Sequence, residues 1–124
     1  MVVNDDAALA HALHFALSLE GVNVHWHGDA PAALASPDLK RAECLIVKDR
    51  LPSMDGCELT RQVLAQGLTP YAILLTSAAT LALRARAAAV GVRLVMEKPI
   101  LDNSLVEAVL GVLCMPPPVL REIT

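Results

Sequence analysis

Lys48 ends a run of apolar residues, Cys44-Leu45-Ile46-Val47, and is followed by Asp49-Arg50-Leu51-Pro52-Ser53-Met54-Asp55-Gly56. An amine at the end of a buried segment can do two kinds of chemistry. Desolvated, it is a nucleophile that forms Schiff bases with carbonyl compounds. Paired with a carboxylate, it is a structural cation. The second reading is preferred, because no surrounding set of aromatics or glycines would shape a pocket for a carbonyl substrate. Three further stretches could join the lysine. Asn4-Asp5-Asp6 follows the apolar start Met1-Val2-Val3 and offers carboxylates to a metal or to an ammonium. Thr76 ends a second apolar run, and Lys98 follows a third and precedes Pro99. Asp6 suits the N-cap of the next helix, which leaves Asp5 as the partner of Lys48. Adjacent residues of a strand point to opposite faces, so Asp49 reaches the same pocket only through a bulge or a local shift.

The elements that must position these groups follow from periodicity. Short apolar runs bounded by turn residues predict strands at residues 1–4, 43–47, 71–75 and 92–96, and alternation predicts a fifth at residues 22–27. Helical spacing predicts helices over residues 7–20, 31–35, 57–65, 80–90 and 102–113, three of them stopped by Gly21, Gly67 and Gly91. Strands alternating with helices predict an α/β fold with a doubly wound, five-stranded parallel sheet in the order 2-1-3-4-5. Binding chemistry in such sheets sits where the winding reverses, at the carboxyl ends of the first and third strands. Asn4 and Asp5 would then face Lys48.

Composition excludes several classes. A chain of 124 residues with 55% hydrophobic content fits one domain with a substantial core. A net charge of −3 and 2% aromatic residues leave neither a basic stripe nor stacking platforms, so no direct nucleic-acid binding is expected. The 3 cysteines, Cys44, Cys57 and Cys114, are an odd number and fit reduced thiols of a soluble, cytoplasmic protein. No apolar run approaches a membrane span. His25 and His27 share a strand face, and His11 and His14 lie three apart on a helix. Neither pair has a third ligand in view, so both read as solvent-facing side chains.

In order and spacing, the acidic cluster Asn4-Asp5-Asp6, the loop Leu51-Pro52-Ser53-Met54-Asp55-Gly56, Thr76 and Lys98-Pro99 resemble the receiver domain of bacterial two-component response regulators. The loop is most similar to the subfamily whose receivers precede helix-turn-helix output domains. The resemblance implies a flavodoxin-like three-layer sandwich over residues 1–115, with the proline-rich residues 116–124 as a tail or linker stub. It also implies roles. A working receiver carries a phosphate-accepting aspartate four residues before the loop proline, and counting back from Pro52 lands on Lys48. Asp5 matches the main Mg²⁺ ligand, Asn4 a position that is usually acidic, Thr76 the switch hydroxyl and Lys98 the phosphate-pairing lysine. Val95 replaces the usual switching aromatic.

An ammonium in place of the acceptor carboxylate changes the charge of the pocket by two. At ~4 Å from a divalent ion it would cost roughly 8 kcal/mol at an effective dielectric near 20. No cofactor is therefore expected, with Asp5 the ligand if Mg²⁺ binds at all. The implied function is a degenerate receiver, not an enzyme, that binds signalling proteins (a histidine kinase or an output domain) without phosphorylation. The fourth and fifth helices are the implied surface for partners or a homodimer. The alternative is a phosphorylatable receiver that uses Asp49 or another carboxylate.

Overall fold

Two valines are enough to start the sheet, because the strands on either side of them supply the hydrogen bonds. In the computed structural model, which describes residues 1–98 and 104–113, β1 is Val2–Val3 and pairs in parallel with β2 (Trp26–His27) and β3 (Cys44–Lys48). β4 (Tyr71–Thr76) and β5 (Leu94–Glu97) extend the sheet beyond β3. The strand order is β2-β1-β3-β4-β5, all parallel, as the alternation of elements predicts. The connections are α1 (Ala7–Ser18), α2 (Ala30–Ala35), α3 (Gly56–Ala65) and α4 (Leu81–Val90), and α5 (Ser104–Leu113) follows β5.

Side-chain alternation along the central strands divides the interior in two. Val3, Leu45, Val47, Ala72 and Leu74 pack on one face of the sheet with Ala33, Cys57, Leu59 and Val63 of α2 and α3. Val2, Cys44, Ile46, Ile73 and Leu75 pack on the other face with Leu13 and Leu17 of α1 and with Leu105 and Val109 of α5.

Several boundaries differ from the periodicity. Only Trp26–His27 of the expected strand 22–27 pairs, because its partner β1 is two residues long and the ladder cannot outrun it. β5 begins at Leu94 rather than residue 92, in register with Ile73–Thr76 of β4. α1 stops at Ser18, and Gly21, with a φ of 77°, turns the chain. A 3₁₀ turn at Pro37–Arg41, capped by Ser36, precedes β3 and carries no periodic signal. Expected features at residues 99–103 and 114–124, including Pro99, Cys114 and the proline-rich tail, lie outside the described residues.

Candidate functional site

The sheet winds outward from β1 and β3 in opposite directions, so their carboxyl ends lie side by side. Asn4 is wholly buried just beyond β1. Its backbone N–H donates to His27 O at 3.0 Å, and its carbonyl accepts Trp26 Nε1–H at 2.7 Å. Its side-chain Oδ1 accepts the Asp6 N–H at 2.8 Å, while Nδ2 is buried without a protein partner. These bonds turn the chain so that Asp5 is exposed and Asp6 begins α1. Asp6 Oδ1 accepts the N–H groups of Ala8 (3.0 Å) and Leu9 (3.3 Å), the N-cap arrangement its position implies.

Lys48, the last residue of β3, donates from Nζ to Asp5 Oδ1 at 2.6 Å. That hydrogen bond holds the Asp5 carboxyl below its usual range, and the positive charges of Lys48 and Lys98 act in the same sense. The structure thus brings Lys48 and Asp5 together, with Lys98 close enough to be felt.

Asp49 takes a different partner. Its N–H donates to Leu75 O at 2.8 Å, and its carbonyl accepts the Gly56 N–H at 2.7 Å, which closes the loop between β3 and α3. Its carboxylate Oδ2 accepts the Thr76 hydroxyl at 3.2 Å. Thr76 Oγ1 also accepts the Ala78 N–H at 3.1 Å and is almost fully buried at the end of β4. The expectation from alternation is corrected here: Asp49 meets Thr76 without a bulge in β3, because β3 has ended and the neighbouring strand ends beside it. Lys98 is tied through its backbone, N–H to Thr76 O at 2.7 Å. Val95 is half-buried against the core cluster on the α2 and α3 face of the sheet.

The loop has a strict steric requirement. A Cβ at Gly56 would lie 2.5 Å from Lys48 O and 2.7 Å from Leu74 Cδ1, so only glycine allows the start of α3 to pass this close to the end of β3. Asp55 caps α3 by accepting the Glu58 N–H at 2.7 Å. Its other oxygen accepts Arg86 Nη2–H of α4 at 2.5 Å, and its backbone bridges Arg50. Burial pushes the Asp55 carboxyl up, but the bonds from Arg86 and Glu58 outweigh it and leave the group more acidic than usual.

The Arg86–Asp55 and Asp49–Thr76 contacts were not read from the sequence. The first joins residues 31 apart and depends on how α4 is rotated. An Asp-Gly pair before a helix was the available hint for an N-cap at Asp55. His25 lies outside β2, exposed, with Nδ1 3.3 Å from Asp38 Oδ2. His27 does not face solvent fully as expected, since Nε2 is buried and unpartnered. His11 is exposed on α1 and sets its ring edge against Trp26, 5.5 Å between centroids. His14 is exposed nearby on α1. Among the described residues, no group of three or more His, Cys, Asp and Glu side chains is placed to hold a metal ion.

A doubly wound parallel sheet with charged groups gathered at the winding reversal is the flavodoxin-like architecture of CheY-like proteins. A receiver-like structure from Methanospirillum hungatei superposes on it with a TM-score of 0.79, at 23% identity over 89% of this chain and 88% of that one. The crystal structure of FixJ-N gives 0.76 at 25% identity, covering 94% of both chains. The model of the response regulator receiver domain matches residues 1–110, and the chain belongs to that family. The transcriptional regulatory protein FixJ of Azorhizobium caulinodans is 32% identical over 87% of this chain. Its counterpart in Bradyrhizobium diazoefficiens is 36% identical over 84%. The chain spans about half the length of these relatives, 51% of each.

Proposed function

We propose that the chain is a receiver of two-component signalling that does not take a phosphoryl group on aspartate and works as a protein-interaction module. The observation that carries this is the 2.6 Å pair between Lys48 Nζ and Asp5 Oδ1. Lys48 stands four residues before Pro52, where the receiver pattern has its phosphate-accepting aspartate. Its ammonium is bonded to the carboxylate that would otherwise serve as the principal metal ligand.

Mg²⁺, which the family implies, would draw its donors from Asn4, Asp5 and Asp6. Asn4 Oδ1 and Asp6 Oδ1 already accept backbone N–H groups, and Asp5 is bonded to the ammonium. A neutral amide, a helix cap and an ion-paired carboxylate do not fit a small dication that demands near-octahedral oxygen ligands. On this reading the module is cytoplasmic, has no enzymatic activity of its own, and is recognised by a histidine kinase or an output domain. Among the described residues no helix is long and apolar enough to cross a membrane.

A second reading draws on the Asp49–Thr76 hydrogen bond, which places a carboxylate beside a hydroxyl at the end of β4. There Asp49 would be the acceptor. Incubation with acetyl phosphate and Mg²⁺, followed by intact mass, separates the two. The first reading expects no phosphoryl adduct. An adduct that disappears in Asp49→Asn overturns it and establishes the second.

A further inference from the structure

Helix α4 is held to the rest of the molecule by little apolar burial. Ala87 alone among its ten residues is fully buried, Leu83 and Val90 are partly so, and Leu81 is 86% exposed. α3, beside it, buries Cys57, Leu59 and Val63 completely. Burying one alanine methyl removes far less surface from water than burying leucines and valines, so apolar packing positions α4 weakly. Polar contacts are left to decide where it sits.

Two carboxylates reach this segment, both from the connection between β3 and α3. Asp49 Oδ2 accepts the Thr76 hydroxyl at 3.2 Å, and the same hydroxyl oxygen accepts the Ala78 N–H at 3.1 Å. That ties the base of the turn leading to Thr80, which caps α4 by accepting the Leu83 N–H at 3.1 Å. Asp55 Oδ2 accepts Arg86 Nη2–H at 2.5 Å, further along the helix. The two ties border one open cleft, lined also by Arg50 and Ser77.

We propose that Asp49 and Asp55 form a two-point clasp that sets the pose of α4, and that releasing both ties frees residues 77–90 while the rest of the fold stays closed. The proposal goes beyond the question of phosphorylation and stands whichever residue, if any, accepts a phosphoryl group. Its consequence is that the outward side of α4, Leu81, Ala85 and Ala88, is presented in one arrangement for as long as the clasp holds.

Hydrogen exchange on the whole chain, read by mass spectrometry, tests this with Asp49→Ala, Arg86→Met and the double variant. Arg86→Met keeps the aliphatic stem and leaves the Asp55 cap on α3 intact. In the double variant, peptides from residues 77–90 should exchange about tenfold faster or more, while those of α1 keep their protection. Thr76→Val, which also takes the acceptor from the Ala78 N–H, should accelerate exchange at least as much as Asp49→Ala, and Thr76→Ser should not. Equal acceleration of every segment, or none in residues 77–90, overturns the clasp. Should the double variant not fold, Thr76→Val and Arg86→Met separately carry the same comparison, each with a selective but smaller acceleration expected.

Discussion

Replacing Lys48 by aspartate reverses the one ion pair on which the functional proposal depends. At 2.6 Å the Lys48–Asp5 attraction would be about 6 kcal/mol at an effective dielectric of 20 and about 1.6 kcal/mol in bulk water. The two side chains are 30% and 40% exposed, so the water-like figure governs. Once side-chain ordering is subtracted, about 1 kcal/mol remains. Lys48→Asp replaces this with a carboxylate repulsion of similar size, so it should destabilise the fold by about 2 kcal/mol at low salt. With a urea slope of about 1–2 kcal/mol/M, that is a midpoint lowered by roughly 1–2 M. The variant also removes the ammonium that, on the proposed reading, excludes a dication. Mg²⁺ at about 100 times its dissociation constant would then restore about 2.7 kcal/mol. Urea unfolding with and without Mg²⁺ reads both effects. Trp26, the lone tryptophan, is the natural probe, because its Nε1–H donates to Asn4 O at the rim of the site. Two results would refute the reasoning. A native chain that gains as much from Mg²⁺ as the variant shows that the amine does not exclude the ion. A variant that gains nothing shows that the loss of metal binding does not reside in Lys48.

Acid should erase the effect of a second substitution, Lys48→Met. The Asp5 carboxyl is held low in the folded chain, so its contribution is complete above the ordinary aspartate range near pH 4 and is lost as pH falls through the lowered value. The urea midpoints of native and Lys48→Met chains should differ at pH 7 and converge as the pH falls below the ordinary aspartate range. Gly56→Ala should cost about 2–4 kcal/mol, seen as a lower denaturation midpoint, since its Cβ would meet Lys48 O at 2.5 Å. Asp6→Ala should lose about 1 kcal/mol through the uncapped start of α1, by the same amount with and without Mg²⁺ in thermal melts; a Mg²⁺-dependent loss would make Asp6 a ligand rather than a cap.

The sheet order was legible because apolar runs and helical stretches alternate without interruption, and right-handed crossovers leave few ways to wind them. Strand lengths were not, because a ladder is only as long as its shorter member. Val22 and Val24 alternate correctly, yet the parallel register sets Val2, the first residue of β1, opposite Trp26, so the ladder has no partner for them. At the site, the approach of Lys48 to Asp5 followed from topology alone, since it needs only two adjacent strand ends. The Asp49 contact needed the position at which β3 stops, and the Arg86 contact needed the roll of α4. Neither quantity is written in a local pattern. The buried Asn4 shows the same limit, because its carbonyl meets the indole of Trp26, 22 residues away.

The sheet that separates the two apolar layers also separates two of the three cysteines. Cys44 faces α1 and α5, with its thiol pushed up to about 11 by burial, and Cys57 lies among the residues packed toward α2 and α4. The sheet lies between them, so neither can meet the other while both layers hold. An alkylating probe followed at Cys44 and at Cys57 separately would therefore report on the two sides of the molecule independently.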